Sequence, residues 1–184
     1  MDLRSFSDQK PTKVQCLKLV DYVGGKKLIF KELLDIFLMG SDRVAQTIAW
    51  PLSIIVERHP ELVKPYLGKV LSAATKPGAH DAVKRNVMRL LQFVDVPVRL
   101  RGKALELAFT FLQDRSQAVA IRVFSMTVIL NLSENEPGLQ RELQVLLEDE
   151  MPFGSAAFRS RASRVLRALT QQKQSKSRKK SVSE

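Results

Sequence analysis

The fold is decided by the stretch Ser41-Asp42-Arg43-Val44-Ala45-Gln46-Thr47-Ile48-Ala49-Trp50-Pro51, which is followed by His59-Pro60-Glu61-Leu62-Val63-Lys64-Pro65-Tyr66-Leu67. Apolar residues recur in it every three or four positions, which is the period of an amphipathic helix. Pro51 lies inside this helix and lacks the N–H that would bond back toward Thr47, so a kink is expected there. Pro60 can begin a second helix, because proline is favoured in a first helical turn. The stretch therefore predicts a helical hairpin.

The same hairpin pattern returns downstream at a nearly constant interval. Second helices open at Pro60, Pro97 and Pro137, at spacings of 37 and 40 residues. One polar position of the first helices recurs at spacings of 39, 37 and 39 residues, at Gln46, Arg85, Arg122 and Arg161. Two-helix units of this length bury their faces against their neighbours, which predicts a helical solenoid. We expect the repeated arginines to bind an acid or a carbonyl of an adjacent unit, although a ladder that binds anions is the alternative.

Helical periodicity and breakers define the extent of the domain. Helices are predicted near residues 8–23, 26–39, 80–94, 97–113, 116–132, 137–150 and 155–169, besides the hairpin that starts at Ser41. Residues 171–184 are rich in Lys, Ser and Gln and carry no apolar stripe. The sequence thus predicts one all-α domain over residues 1–170 and a disordered basic tail over residues 171–184.

The net charge of +11 is concentrated at one end of the chain. The last thirty residues hold nine Lys or Arg against one acid, Glu184, for a net charge of +8, so the preceding 154 residues carry only +3. A strongly basic chain suggests a nucleic-acid partner, but a nearly balanced body weakens that interpretation. The basicity is mostly a property of the last predicted helix and the tail.

The first-helix sequences carry a family resemblance. Asp42-Arg43-Val44-Ala45 and Asp81-Ala82-Val83-Lys84-Arg85, each followed by a second helix that opens with proline, resemble the HEAT repeat. That repeat typically has an Asp, a Val-Arg pair and a proline in its first helix, and Pro51 takes the last part here. The third unit departs from the pattern, with Ser116 near the Asp position. The resemblance covers roughly residues 10–170 and includes small bacterial HEAT-like proteins of unassigned role. It implies an α-α superhelix, a right-handed solenoid of about four helical hairpins plus a terminal helix.

A stack of this kind implies a concave face lined by the second helices, which suits a scaffold or adaptor that binds a protein or peptide. We take the residues of those helices that lie off the apolar stripes as the candidate face. They are Lys31, Asp35, Lys64, Lys69, Lys103, Glu106, Thr110, Gln144 and Glu148. The face grades from basic to acidic along the stack, and this mixture favours a protein partner over a phosphate backbone.

Nucleic-acid binding is the alternative function, since HEAT-like alkylpurine DNA glycosylases show that this architecture can cradle DNA. Those enzymes use a basic concave surface with aromatic and acidic residues in the cleft, and this sequence does not match that set. The candidate polyanion-binding residues are instead C-terminal: Arg159, Arg164, Arg167, Lys173, Lys176, Arg178, Lys179 and Lys180. They lack interleaved aromatic residues, so base stacking is not indicated, and a tail that only aids solubility is equally consistent with them.

Catalytic, metal and cofactor sites are not indicated. His59 and His80 are far apart and flank turns, and Cys16 lies beside an apolar stripe, where an inert buried thiol is expected. The acidic group Glu148-Asp149-Glu150 could form a catalytic carboxylate pair, but we expect it to face Arg159, Arg161, Arg164 or water. No signal peptide or membrane-spanning helix is predicted, and a single cysteine fits the reducing cytoplasm. We expect a non-enzymatic cytoplasmic protein without cofactors.

Overall fold

A computed structural model describes residues 2–8 and 10–181, with side chains through residue 175. The helices in this part of the chain are α1 (Leu3–Ser7), α2 (Lys13–Val23), α3 (Lys27–Met39), α4 (Asp42–Arg58), α5 (Leu67–Ala74), α6 (Asp81–Leu91), α7 (Val98–Gln113), α8 (Val119–Leu132), α9 (Pro137–Glu150) and α10 (Ala156–Ser181). Short 3-10 turns cover Pro60–Leu62, Lys64–Tyr66 and Met151–Phe153. The described residues contain no strand, so the all-α prediction is confirmed.

The chain divides into two compact units, residues 1–103 and residues 104–184. In the first unit, α4 packs against α2, α3 and α6. Its fully buried residues Ile48, Leu52 and Ile55 form a core with others that include Phe30 and Phe37 of α3. The apolar residues whose three-to-four-residue spacing predicted a helix after Ser41 are thus the residues that are buried in this core.

The second unit is built around α8, which packs against α9 and α10. Helix α8 is apolar on most sides and buries Ile121, Met126 and Ile129 completely. The run Val123 to Leu130 has a strand-like composition, but it lies in an uninterrupted helix as its length without a breaker predicted. Residues Leu143 and Leu147 of α9 are also fully buried.

Pro60 opens a 3-10 turn rather than the α-helix that the sequence predicted. Turns over Pro60–Leu62 and Lys64–Tyr66 precede α5, which begins only at Leu67. Pro65 explains the difference, because it lacks an N–H and its ring clashes with the carbonyl four residues earlier. The apolar residues Leu62, Val63 and Leu67 are nevertheless buried, so the segment still closes the hairpin.

Helix α10 runs from Ala156 to Ser181, whereas the sequence predicted a disordered tail from residue 171. No glycine or proline interrupts this segment, and Gln, Lys and Arg are good helix formers. Two contacts hold the added turns to α9: the Gln140 side chain donates to the Gln172 amide oxygen at 2.9 Å, and Lys173 donates to Gln144 at 2.8 Å. The last three positions of the predicted tail, residues 182–184, lie outside the described residues.

Over the part of the chain that the structure describes, no helix combines the length and the apolar character that crossing a membrane requires.

Candidate functional site

The first unit contains a concave groove along α3. The C-terminal end of α1 and the beginning of α4 form its other walls, and it encloses about 680 Å³. Arg43 of α4 donates a hydrogen bond to the backbone carbonyl of Asp8 at 3.1 Å, which ties the end of α1 to α4. The groove therefore has walls from three helices of the same unit.

Two large apolar side chains lie exposed at opposite ends of this groove. Leu28 is 84% exposed and Met39 is 71% exposed, although both belong to the same helix. Ile36 and Val44 lie between solvent and core and continue the apolar lining. Single exposed apolar residues are common, but an apolar lining inside a concave surface is typical of a binding site.

Gly40 fixes the shape of the groove where α3 meets α4. A Cβ atom at this position would lie 2.5 Å from Val44 Cγ1 and 2.6 Å from the carbonyl oxygen of Ile36. Only glycine allows this close approach of the end of α3 to the first turn of α4. The short connection thereby brings Met39 and Val44 into one surface.

A charged row crosses the groove between the two apolar ends. The Asp35 carboxylate lies 2.9 Å from the ammonium group of Lys31 and 2.6 Å from that of Lys69 on α5. Hydrogen bonds from Lys69 and then Lys31 hold the pKa of Asp35 below its usual range. The hydrogen bond between Lys31 and Asp35 also raises the pKa of Lys31. Glu32 and Asp8 add exposed acids, so the groove presents both signs of charge.

The structure brings some of the predicted binding residues together within each unit. Lys31 and Asp35 line the groove, and Lys69 binds Asp35. Lys103 donates to the hydroxyl of Ser72 at 3.0 Å, close in sequence to Lys69. Lys64 is exposed on a 3-10 turn. The predicted face therefore contributes two residues to the groove lining.

In the second unit the predicted residues form local pairs. The Thr110 hydroxyl donates to the backbone carbonyl of Glu106 at 2.8 Å. The Gln144 amide donates to Glu148 at 2.8 Å and accepts from Lys173. These hydrogen bonds involve the side chains of Thr110, Gln144 and Glu148, which the sequence had assigned to partner binding.

Sequence reasoning missed Arg4, Leu28, Glu32 and Met39 of the groove. Leu28 and Met39 lie outside the apolar stripe of α3, which is formed by Phe30, Leu33, Leu34 and Phe37. An apolar residue on the polar side of an amphipathic helix was the available signal. The role of α1 as a wall had no such signal, since its position depends on tertiary packing.

Of the acidic group at the end of α9, Glu148 and Asp149 are exposed to water, which was one of the predicted environments, whereas Glu150 binds two arginines that the sequence did not predict. Glu150 binds Arg115 and Arg122 at 2.8 and 2.7 Å, not Arg159, Arg161 or Arg164. Arg122 also donates through Nε to the carbonyl of Leu112 at 2.9 Å. Arg122 thus binds a carbonyl of the preceding hairpin, as expected for the repeated arginines, and an acid of its own hairpin. Hydrogen bonding to Arg115, followed by that to Arg122, holds the pKa of Glu150 below its usual range despite partial burial.

The other members of the repeated polar position differ from Arg122. Arg161 is half-buried and donates to the hydroxyl of Thr127 on α8 at 2.7 Å. Burial, followed by the nearby charge of Arg164, lowers the pKa of Arg161. Arg85 and Gln46 are exposed. The four members of the repeated position therefore lie in different environments.

The predicted polyanion-binding residues lie on α10. Arg159, Arg164, Arg167 and Lys173 have exposed side chains. The side chains of Lys176, Arg178, Lys179 and Lys180 lie outside the part that the structure describes. No acid occurs between Ala156 and Ser181, so the whole helix has one sign of charge.

The two histidines lie at separate places in the first unit. His59 Nδ1 is 3.5 Å from Glu61, and His80 Nε2 is 4.0 Å from Asp42. Cys16 is buried, and burial raises the pKa of its thiol. Within residues 2–8 and 10–181, no group of three or more His, Cys, Asp or Glu side chains is placed to hold a metal ion.

The sequence is similar to that of known helical-repeat proteins. The family model of the HEAT repeat domain matches residues 7–169, which includes both compact units. The serine/threonine-protein kinase tor1 of Schizosaccharomyces pombe is 28% identical over 102 residues. That match covers 51% of this chain but spans only 4% of the length of the kinase. No solved structure matches the chain.

Proposed function

The chain belongs to the HEAT repeat family, and on this basis we propose that it is a non-enzymatic scaffold or adaptor that binds a protein partner in the groove beside α3. HEAT repeats generally mediate protein–protein interactions. The observation that carries the proposal is the exposure of Leu28 and Met39 at opposite ends of one concave surface with mixed charge between them. The wider concave face predicted from the second helices remains part of the proposal.

The spacing of the apolar ends defines the kind of partner. Met39 lies eleven positions after Leu28, so the two residues are about 16 Å apart along α3 at 1.5 Å per residue. An amphipathic helix of about three turns covers this length with an apolar residue at each end. Its middle turn would face Lys31, Glu32 and Asp35, which favours a partner that carries both an acid and a base there.

The apolar ends are expected to supply most of the affinity. Burial of a Leu or Met side chain contributes about 1.5–3 kcal/mol. The exposed charges between them contribute mainly to orientation and to the choice of partner. Leu28 and Met39 are therefore the expected hot spots of the interface.

The proposal assigns no reaction to this chain. Glu150, one of the three acids that the sequence singled out, accepts hydrogen bonds from two guanidinium groups, which favours a structural role over acid–base catalysis. The similarity to tor1 concerns 4% of that kinase. We therefore infer from it a shared type of helical segment and no kinase activity.

The experiment compares two full-length proteins that carry a photo-reactive phenylalanine, one at Leu28 and one at Val14. Val14 is 62% exposed on α2 and does not line the groove, so it is a matched control. We expect cross-linking in native cells at Leu28 to map to an amphipathic helical segment of one partner, and cross-linking at Val14 not to do so. Recovery of the same segments from both positions would contradict the groove as the binding site.

A binding measurement with the identified segment completes the test. We expect Leu28→Asp with Met39→Asp to weaken Kd by at least a hundredfold, because an ionised carboxylate cannot be buried against an apolar residue. Val14→Asp should leave Kd unchanged. Equal affinities of the two variants would remove the groove from the proposal.

A further inference from the structure

We propose that the exposed face of α10 binds the phosphate backbone of a nucleic-acid duplex without sequence preference. This surface lies in the second unit and is independent of the groove beside α3. The face is defined here by Arg164 and Arg167, with Arg159 at its edge. It holds only one sign of charge, unlike the groove.

One side of α10 is already used for packing. Phe158, Ala162, Val165 and Leu169 are buried at intervals of four, three and four residues, and α10 packs against α8. At 100° per residue, Arg164 and Arg167 lie on the opposite side of the helix. Both of these side chains and that of Arg159 are exposed to solvent.

The three arginines are not neutralised by carboxylates within the described residues. Arg159 donates to the backbone carbonyl of Gly154 at 2.6 Å, and Arg167 donates to that of Ser163 at 3.2 Å. Arg164 is 3.4 Å from the hydroxyl of Ser160. In contrast, Arg115 and Arg122 of the same unit both bind Glu150. The charge of the α10 face therefore remains available to an anionic partner.

The composition of the face favours a duplex backbone over other polyanions. An anionic membrane surface needs an apolar side on the helix, and the apolar side of α10 faces α8. Single-stranded nucleic acid is usually held by stacking on aromatic residues, and none lies on this face between residues 159 and 175. An acidic protein would add apolar contacts at its interface core, and no large apolar side chain is exposed on α10 between residues 156 and 175. A face whose charged side chains are all Arg or Lys is suited to contacts with phosphate groups.

The face reaches a short part of a duplex. Arg167 lies eight positions after Arg159 in α10, which is about 12 Å along its axis at 1.5 Å per residue. Phosphates of one strand are about 3.4 Å apart along the duplex axis, so the face can contact about three of them. Contacts from these arginines to phosphate provide affinity but carry no sequence information.

The test measures fluorescence anisotropy of the full chain with labelled 20-base-pair DNA and RNA duplexes of random sequence, from 25 to 200 mM salt. We compare Arg164→Gln with Arg167→Gln in one protein against Lys13→Gln with Lys18→Gln in another. Lys13 and Lys18 are exposed on α2, so the control removes the same charge elsewhere. Circular dichroism checks that each variant keeps its helix content.

We expect the α10 variant to lower the slope of log Kd against log salt by about two, since each lost phosphate contact removes about 0.9. The control should change the slope by less than about half a unit on the same scale. Binding of both duplex types supports recognition of the shared backbone, and binding of one alone narrows the partner to that duplex. Equal effects of the two variants would overturn the proposal.

Two further measurements distinguish other sources of binding. A full-length variant with Lys176→Gln, Arg178→Gln, Lys179→Gln and Lys180→Gln tests whether the cations at the C-terminal end of α10 account for the binding. If this variant loses all binding while the Arg164/Arg167 variant loses none, the face is not the site. Tighter binding to vesicles of phosphatidylserine than to either duplex would also overturn the proposal. A negative result in this experiment does not bear on the proposal that the groove beside α3 binds a protein, because that proposal is tested with other residues.

Discussion

The carboxylate of Glu150 lies 2.7 Å from the guanidinium of Arg122, and both side chains are almost removed from solvent. This contact joins the last turn of α9 to the first turn of α8. Arg122 further bonds the carbonyl of Leu112 and lies over the ring of Phe158, 4.6 Å from its centroid. One arginine thus connects α7, α8, α9 and α10 within the second unit.

Loss of Glu150 should destabilise the protein much more than loss of an exposed acid. In Glu150→Ala, the buried guanidinium of Arg122 keeps its bond to Leu112 but loses its carboxylate. We expect the free energy of unfolding to fall by about 3 kcal/mol. Glu142→Ala removes an exposed acid from the same helix and should change it by less than about 0.5 kcal/mol. Urea denaturation followed by circular dichroism measures both, and equal effects would contradict a structural role for Glu150.

The same contact predicts how stability depends on pH. The pKa of Glu150 is lowered in the folded protein, so the folded state holds the charged form more strongly than the unfolded chain does. This contribution is complete above the unfolded pKa of glutamate, about 4.3, and is lost as pH falls through the lower folded value.

We therefore expect the stability difference between the wild type and Glu150→Gln to be constant from pH 7 to about pH 5 and to shrink below about pH 4. Urea denaturation at each pH gives this difference directly. A difference that grows on acidification would show that Glu150 is not held as a carboxylate.

The sequence predicted the helices well but predicted this contact only in part. Helices follow from local periodicity and from breakers such as Gly24 and Gly40. The role of Arg122 followed from its place in the repeat. The identity of its partner did not, because Glu150 is 28 residues away and three acids at the end of α9 were equivalent in sequence.

The candidate groove was less accessible to sequence reasoning. Lys31 and Asp35 were predicted as binding residues because they lie off the apolar stripe of α3. Leu28 and Met39 were not, since apolar residues near a stripe are usually assigned to the core. Their exposure depends on which neighbours cover them, and this is decided by the tertiary arrangement of α1 and α4.

Gly40 and Gly68 should respond in opposite directions to replacement by alanine. A Cβ atom at Gly40 would approach the carbonyl oxygen of Ile36 to 2.6 Å, and backbone cannot move aside easily. Gly40→Ala should therefore lower the free energy of unfolding by about 1–3 kcal/mol. Gly68 lies inside α5 with no atom within 4 Å of its Cβ position, so Gly68→Ala should raise it by about 0.5–1 kcal/mol. Thermal unfolding compares them, and equal melting temperatures would show that the α3–α4 connection is not tight.

Phe158 and Phe153 provide a matched pair for the role of α10. Each ring lies under an arginine: Arg122 is 4.6 Å from the centroid of Phe158, and Arg115 is 4.8 Å from that of Phe153. Their burial differs sharply, since Phe158 is 1% exposed and Phe153 is 72% exposed. Because both variants lose a cation–π contact, the difference between them reports packing of α10 against α8.

We expect Phe158→Ala to lower the free energy of unfolding by about 3–5 kcal/mol, through lost burial and the cavity it leaves. Phe153→Ala should cost at most about 1 kcal/mol, the value of an exposed cation–π contact. Hydrogen exchange of the α10 amides should rise strongly in Phe158→Ala and stay unchanged in Phe153→Ala. Similar exchange in both variants would mean that Phe158 does not anchor α10, and the proposed duplex-binding face would lose its rigid support.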